Sequence, residues 1–344
     1  GTLARSINLS PMEQEEVVLF LLRRIKAVGQ EAGGEQLQQF AGHMPAEYAA
    51  ASELVLAMDG LPLALDQAGA YIEETGCTLS DYLHHFAHYR AHLLERRGMA
   101  GDANPHSVTT AFLLAKEQAE REQEAVSDIL CVCAFLHADA IPEELFAAGA
   151  FHLGSAIEAM AADPTGFDQV IASLRSWSLV QRSGSTHTLA LHRLVQAVLQ
   201  EHMDEQERIM WLKRVRTALN AIFPDGSRRE WPLCERLLPH VLACIAPSTE
   251  LADDQALAEL LVKTADYLRE RAQYDQAKAL YQRALHVGEQ VFGAEHPEVT
   301  RPLSGLAILA HGQGDYEQAE ALLQRAVRVR EQALGPDHLK VAPA

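Results

Sequence analysis

Long apolar runs are missing from this sequence of 344 residues. No stretch free of Asp, Glu, Lys and Arg exceeds 13 residues, Leu145–Ile157 and Pro302–Gly314 being two of that length. A helix that crosses a bilayer needs roughly 18 to 20 apolar residues, so no transmembrane span is expected. Gly1–Leu9 has one Arg and no apolar h-region, which excludes a signal-peptide reading of that segment. Basic charge is also short: Lys and Arg total 29 against 47 Asp and Glu, a net charge of −18. Nucleic-acid affinity rests on cations that neutralise phosphates, so nucleic acid is disfavoured as a partner, and a polybasic membrane surface is disfavoured with it. Cysteine is sparse and odd in number, Cys77, Cys131, Cys133, Cys234 and Cys244. A disulfide framework in a small secreted domain would want an even set, so free, buried thiols and a cytoplasmic setting are expected. Aromatics make up only 6% of the chain.

What remains is Ala, Leu, Gln and Glu in amphipathic order, a composition that favours helices. The first helix carries its own start signal: Ser10 as cap, Pro11 at the first helical position and Glu13 three residues after the cap, followed by Val17, Leu21, Leu22 and Ile25 on one face. Ala32-Gly33-Gly34 breaks that pattern. Further helical segments are expected at about Pro45–Met58, Leu63–Glu74 and Ser80–Arg97, and Gly98–Pro105 reads as a linker. Beyond it come helical stretches at Ser107–Glu120, Ala125–His137, Pro142–Ala150, Gly154–Ala161 and Phe167–Trp177. A strand pair follows, Leu179–Gln181 and Thr188–Ala190, around the loop Arg182–His187, and then a helix at His192–His202. Helices followed by a hairpin outline a winged helix, a helix-turn-helix variant. As a DNA reader it is poorly equipped, because the candidate recognition helix Phe167–Trp177 offers Arg175 against Asp168 and little else.

The last third repeats itself at an offset of 42 residues. Tyr274-Asp275-Gln276-Ala277 recurs as Tyr316-Glu317-Gln318-Ala319, Gln282-Arg283-Ala284 as Gln324-Arg325-Ala326, and Gly293-Ala294-Glu295-His296 as Gly335-Pro336-Asp337-His338. Each unit reads as two helices turning at Gln273-Tyr274 or Asp315-Tyr316, with small Ala265, Ala277, Ala284 and their mates Ala307, Ala319, Ala326 allowing close approach. The pattern resembles tetratricopeptide repeats in the long form found in kinesin light chains; the ordinary unit is about 34 residues. The resemblance implies an α-solenoid with a concave groove that takes a protein or peptide effector. Two complete units are visible, and a third would begin at His338–Ala342, so the array reads as cut off at its C-terminal end.

Gly60-Leu61-Pro62-Leu63-Ala64 has a local explanation as a tight turn entering a helix, with Pro62 near the first helical position. It also resembles the GLPLA motif of NB-ARC domains, the nucleotide-binding modules of STAND signal-transduction ATPases. Leu9-Ser10-Pro11-Met12, Gly60–Ile72 and Ser80-Asp81-Tyr82-Leu83 are similar to the helical lid of that family. Cys133–Leu136, Ile141–Glu144 and Ser178-Leu179-Val180 are similar to its winged helix. The resemblance implies that Leu61 and Pro62 belong to the cofactor site, with Pro62 against the adenine. It also implies that His192, in Leu191-His192-Arg193, takes the place of the histidine that touches the ADP β-phosphate from a Met-His-Asp motif. Arg193 departs from that pattern where the family has Asp, which puts carboxylate-dependent locking in doubt.

A phosphate-cradling Walker A loop requires G-x-x-x-x-G-K-[ST]. Of the six lysines only Lys263 precedes Ser or Thr, and Val262 stands before it in place of Gly. No βαβ alternation is present either. The chain alone is therefore expected to be no enzyme and to need no cofactor of its own, ADP or ATP being held only together with a nucleotide-binding core supplied N-terminal to Gly1. His84, His88 and His92, with His85 beside them, form an i, i+4 stripe that could bind zinc, but only Asp81 lies nearby, so an exposed polar face is the simpler reading. Ser183-Gly184-Ser185-Thr186-His187 is turn chemistry and lacks the G-x-S-x-G of a nucleophile elbow. Trp211, Trp231 and Phe223 read as packing anchors of a connector.

The expectation is a mainly α chain with a lid bundle at 1–100, a winged helix with one β-hairpin at 105–203, a helical connector at 204–250 and tetratricopeptide repeats at 251–344. It would be the regulatory and sensor part of a nucleotide-switched signalling protein, with an effector, its own NTPase domain and further copies on activation as partners. The alternatives are a tetratricopeptide scaffold without nucleotide dependence and, more weakly, a transcription regulator that uses the wing on DNA.

Overall fold

The computed structural model describes residues 13–58, 60–96, 107–225, 228–246 and 254–334. Among them are eighteen α-helices and one three-stranded sheet, so the chain is mainly α. In order the helices are α1 (Gln14–Arg24), α2 (Gly34–His43), α3 (Pro45–Ala57), α4 (Pro62–Thr75), α5 (Leu79–Arg96), α6 (Ser107–Glu122) and α7 (Ala125–Ala134). Strand β1 (Ile141–Pro142) precedes α8 (Glu144–Ala148), α9 (Ala150–Leu153), α10 (Ser155–Ala162) and α11 (Gly166–Ser176). Strands β2 (Gln181–Ser183) and β3 (Thr188–Ala190) lead to α12 (Arg193–His202), α13 (Glu205–Ile222) and α14 (Trp231–Cys244). The repeats supply α15 (Gln255–Glu270), α16 (Tyr274–Phe292), α17 (Thr300–Gly312) and α18 (Tyr316–Leu334). Strand order is β1-β3-β2, with Ile141 opposite Leu189 and Pro142 opposite Thr188 in an antiparallel pair.

Three local differences from the sequence expectation have physical causes. Helix α2 begins directly at the Gly33-Gly34 break, because the Gln36 side chain accepts the Gly33 N–H at 2.8 Å and so caps the helix. Pro142, expected to open a helix at Pro142–Ala150, instead forms with Ile141 a third strand beside the hairpin, and the proline sits on that short strand where the lost N–H is tolerated. The first hairpin strand starts at Gln181, two residues later than expected, because Leu179 and Val180 are buried and Ser178 turns the chain with φ +51°. The expected cap at Ser10 and Pro11 lies outside the described residues. Helix α1 is described from Gln14, with the Glu13 N–H donating to Glu16 Oε2 at 3.1 Å.

Backbone contacts divide the chain into two compact units. One comprises Gly1–Ser127, Phe167–Arg182 and Leu191–Val198; the other comprises Asp128–Gly166, Ser183–Ala190 and Leu199–Ala344. In the first, α1 buries Val17, Val18, Leu21 and Leu22, and α3 buries Ala51, Leu54 and Val55. Glu47 of α3 accepts the Leu79 N–H at 3.0 Å and so caps the start of α5. Arg24 lies across Gly69 of α4, where a Cβ would sit 2.4 Å from Arg24 Cγ, and its guanidinium reaches Asp66 (2.7 Å) and Glu73 (2.8 Å). Only glycine leaves room for that arginine stem.

In the second unit, α13 packs on α8 and α9 and then on α15. Asp204 and Glu207 form a reciprocal capping box at the start of α13, at 2.8 and 3.1 Å. At its other end Lys263 of α15 donates to the carbonyls of Asn220 (2.8 Å) and Phe223 (3.3 Å), which satisfies acceptors the helix cannot. The α13–α14 pair therefore stands against the first repeat much as a preceding hairpin would. Arg216, 3% exposed, pairs with Asp254 at 3.1 Å and donates to the Cys244 carbonyl at 3.2 Å, while Asp254 caps α15 at Leu257 (2.8 Å). Within the repeats α15 packs on α16, α16 on α17 and α17 on α18, with turns at Gln273 and Asp315 where the repeat register puts them. His296 caps the short 3-10 turn that leads into α17, its Nδ1 accepting the Glu298 N–H at 3.3 Å, which gives the repeated Gly-x-x-His a structural meaning.

Candidate functional site

Leu61, Pro62 and His192 fall within the same compact unit. Gly60 takes φ +64°, a conformation in which a side chain would be strained, and this lets the chain turn from α3 into α4. Pro62 is the first residue of α4, where its missing N–H costs no helix bond. Leu61, 38% exposed, and Pro62 both face solvent, so the turn offers an apolar surface patch. Behind it Ala64, Leu65 and Ala68 are fully buried and fix the helix.

His192 precedes α12 and is exposed, as are Arg193 and Leu194. Its carbonyl accepts the N–H groups of Val195 (2.9 Å) and Gln196 (3.1 Å), and its ring Nδ1 accepts the Leu194 N–H at 3.2 Å. The residue is thus an N-cap, and the other ring nitrogen, Nε2, is the one a ligand could use. A helix N-terminus with an imidazole and the Arg193 guanidinium beside it suits an anion, and the exposed Leu61-Pro62 turn suits a flat apolar ring. These are separate fits, and the sequence has no G-x-x-x-x-G-K-[ST] motif.

The same unit holds a polar knot that no sequence pattern signals. Glu122 accepts from Ser173 Oγ at 2.6 Å and from Trp177 Nε1 at 3.1 Å, and Trp177 meets Tyr71 edge-on with ring centroids 5.5 Å apart. Arg24 Nη2 donates to Ser178 Oγ at 3.2 Å. These hydrogen bonds join residues 51 to 154 positions apart, a separation at which no local pattern operates. Lys26 and Arg24 hold the Glu73 carboxyl below its ordinary range by hydrogen bonding to it. Helix α11, which covers most of the candidate recognition helix, turns Val170, Ile171 and Leu174 inward, and Trp177 in the turn after it is buried as well; Asp168 pairs with Arg182 at 2.7 Å, and Arg175 is exposed.

Other candidate residues have mostly structural surroundings. Ser183, Ser185 and Thr186 bond one another in the wing loop, and His187 follows with φ +51°. Cys131, Cys133, Cys234 and Cys244 are buried free thiols and Cys77 is half-buried; burial pushes Cys234 up to about 11 and Cys244 up to about 12, so both are poor nucleophiles. His84 and His85 are exposed, with His85 edge-on to Tyr71; the side chains of His88 and His92 lie outside the described residues. Among the described residues no three His, Cys, Asp or Glu side chains converge as a metal site, and no helix is long and apolar enough to cross a membrane. Trp211 and Phe223 are buried, and Trp231 is half-buried and edge-on to Tyr267, as packing anchors would be.

The repeat hairpins present a second candidate surface. On α17 the exposed residues Arg301, Ile308 and His311 recur at helical spacing, and Arg301 reaches Asp266 of α15 at 3.4 Å. Tyr281 of α16 fills the joint between hairpins: its ring lies on Gly305 of α17 and its hydroxyl donates to Asp266.

Comparison with known proteins gives two family matches. Residues 256–332 and 299–344 match the tetratricopeptide repeat family, and residues 117–208 match a domain of unknown function, DUF7779. A protein of Hyaloscypha variabilis described as a nucleotide-binding leucine-rich repeat (NLR)-like protein is 23% identical over 262 residues, covering 72% of this chain. The chain spans 25% of that relative's length. The paired helices α15–α18 are thus tetratricopeptide repeats by sequence period, by fold and by family match, carried on a chain that is similar to an NLR-like protein.

Proposed function

We propose that this chain is the regulatory and sensor portion of a nucleotide-switched signalling protein of the STAND type. In this reading the lid helices and the winged helix close over ADP held by a separate nucleotide-binding core, and the tetratricopeptide groove receives a protein or peptide effector. The single observation that carries the reading is that the Gly60-Leu61-Pro62 turn and the His192 cap belong to one compact unit although 130 residues separate them in the sequence. The similarity to an NLR-like protein and the tetratricopeptide match support it. When bound, the nucleotide would supply the switch; Leu61 and Pro62 would offer its base an apolar face, and His192 and Arg193 would offer its phosphates donors at a helix N-terminus. An effector can shift such a switch only by binding its two states with different affinity.

The test is His192→Ala in the intact protein that includes the nucleotide-binding core. Loss of copurified ADP and raised basal activity are expected, since a charge-assisted contact is worth about 1.5–3 kcal/mol, or roughly ten- to a hundredfold in affinity. Unchanged ADP retention would sink the sensor assignment. The second reading, a scaffold without nucleotide dependence, draws on the repeats and predicts effector capture by this chain that nucleotide leaves unaltered.

A further inference from the structure

The face of the repeats that carries Asp266, Arg301 and Ile308 continues onto α13. Asn220 of α13 donates from Nδ2 to Glu259 of α15 at 2.6 Å, and Lys263 of α15 donates to the Asn220 carbonyl at 2.8 Å and the Phe223 carbonyl at 3.3 Å. The numbering of both helices therefore rises in the same direction. Further along α15, Asp266 accepts from Arg301 of α17 at 3.4 Å. Residues seven apart lie on one face of a helix, so Glu259 and Asp266 share a face that α13 flanks on one side and α17 on the other. The same spacing carries that face from Asn220 back to Lys213 on α13, and from Arg301 on to Ile308 on α17.

The middle of this face is bonded to itself. Glu259 holds the Asn220 and Gln255 amides, Asp266 holds the Tyr281 hydroxyl and Arg301, and Glu270 lies by Arg269 at 3.9 Å. Two unengaged side chains stand at opposite corners. Lys213 is exposed and has no ion pair among the described residues, and Ile308 is 53% exposed. In the 42-residue register Arg301 is level with Glu259, and so with Asn220. Packed helices lie about 8–10 Å apart, which puts α17 about 16–20 Å from α13, and the seven residues on each side add about 21 Å along the axes. The diagonal from Lys213 to Ile308 is then about 26–29 Å, roughly eight residues of extended chain.

From this continuity we infer that α13 is part of the effector surface, and that the surface takes an extended peptide segment with a carboxylate on Lys213 and an aliphatic side chain on Ile308, roughly eight residues apart. The inference rests on the reading that the repeats receive a protein or peptide effector, and it narrows the chemistry of that effector. In a chain of net charge −18 an acidic segment needs a local cation, and Lys213 is the charged residue among Met210, Lys213, Thr217 and Asn220 on this face of α13.

The experiment selects random linear dodecapeptides on the full chain and measures the enriched peptides by fluorescence anisotropy. Lys213→Glu and Ile308→Asp, both at exposed positions, serve as variants, with circular dichroism confirming that they fold. The enriched peptides are expected to share an acidic and an aliphatic residue roughly eight positions apart, and each variant is expected to weaken them about tenfold. Exchanging the peptide's acidic residue for Lys should restore binding to Lys213→Glu. Loss of binding with Ile308→Asp alone would remove α13 from the surface and overturn the inference, while leaving the repeats as the effector site; so would failure of the charge exchange. Absence of any enriched peptide, or peptides indifferent to both variants, would overturn the inference and the effector reading together.

Discussion

Gly305→Ala is the substitution whose outcome follows most directly from the repeat geometry. A Cβ at this mid-helix position of α17 would stand 2.4, 2.5 and 2.8 Å from Cζ, Cε1 and Cδ1 of Tyr281. Carbon atoms in contact prefer about 3.5–4.0 Å, so something must move. The ring is poorly placed to retreat, since its hydroxyl donates to Asp266 and accepts from Arg269 Nε at 3.3 Å. Overpacking of this kind costs about 1–3 kcal/mol. Against it stands the helix preference for Ala over Gly, worth about 1 kcal/mol. The expected net effect is therefore a loss of roughly 1 kcal/mol, accompanied by faster exchange of the α17 and α18 amides. In a Tyr281→Leu background the clash disappears and only the helix preference remains, so the same substitution should then stabilise by about 0.5–1 kcal/mol. Urea denaturation read with segment-resolved hydrogen exchange measures both, and the segment resolution guards against independent unfolding of the two units. A Gly305→Ala chain that is more stable with Tyr281 present, or the same shift in both backgrounds, would refute the reasoning.

Asp254→Ala should cost about 3–5 kcal/mol, because it strands the buried Arg216 guanidinium and removes the α15 cap together. The double variant Arg216→Met/Asp254→Ala should recover much of that in a denaturation cycle, and additive losses would contradict a coupled pair. Glu122→Ala leaves Trp177 Nε1 and Ser173 Oγ without their acceptor at an expected cost of about 1–3 kcal/mol, visible as a red shift of Trp177 emission in a chain with Trp211 and Trp231 changed to Phe. Burial lowers the pKa of His240 to about 4, below the 6.5 of an exposed imidazole. The fold therefore favours the neutral ring: this contribution is complete above pH 6.5 and is lost as pH falls toward 4, by roughly 3 kcal/mol over that interval. His240→Gln should flatten that part of the stability profile, and an unchanged slope would show that other groups set it.

Elements governed by short-range rules were legible in the sequence. The turn into α4 follows from Gly60 and Pro62, and the α16 and α18 starts follow from a repeat register that fixes both at once. Helix α2 escaped because two glycines read as a break, while the cap that overrides them is a side chain three residues on. Strand β1 escaped because two residues carry no period, and its pairing depends on Leu189, nearly fifty positions away. Periodicity also says where a side chain stands but not what covers it: Tyr281 and Leu323 occupy matched positions 42 apart, yet the first is buried and the second 47% exposed. For the candidate nucleotide site, the motif residues could be named from the sequence, while the double duty of His192 as a helix cap could be seen only in coordinates. Nothing in the sequence marked the recess between the turn before β1, the wing and α14, since its residues come from three separated segments and none forms a motif.

The interleaving of the two units restricts how this chain can be taken apart. The backbone passes from one unit to the other at Ser127/Asp128, Gly166/Phe167, Arg182/Ser183, Ala190/Leu191 and Val198/Leu199. No single cut can release the repeat-bearing unit by itself: a cut before Asp128 keeps it whole but carries residues 167–182 and 191–198 of the other unit with it, and a cut before Leu199 leaves residues 128–166 and 183–190 on the other fragment. A truncation before Leu199 keeps α13 and α14 with the tetratricopeptide helices but deprives α13 of α8 and α9, helices it packs against. Fragments prepared to isolate effector binding from the rest would therefore carry a freshly uncovered apolar face on α13, and aggregation of such a fragment would report the cut and not the repeats.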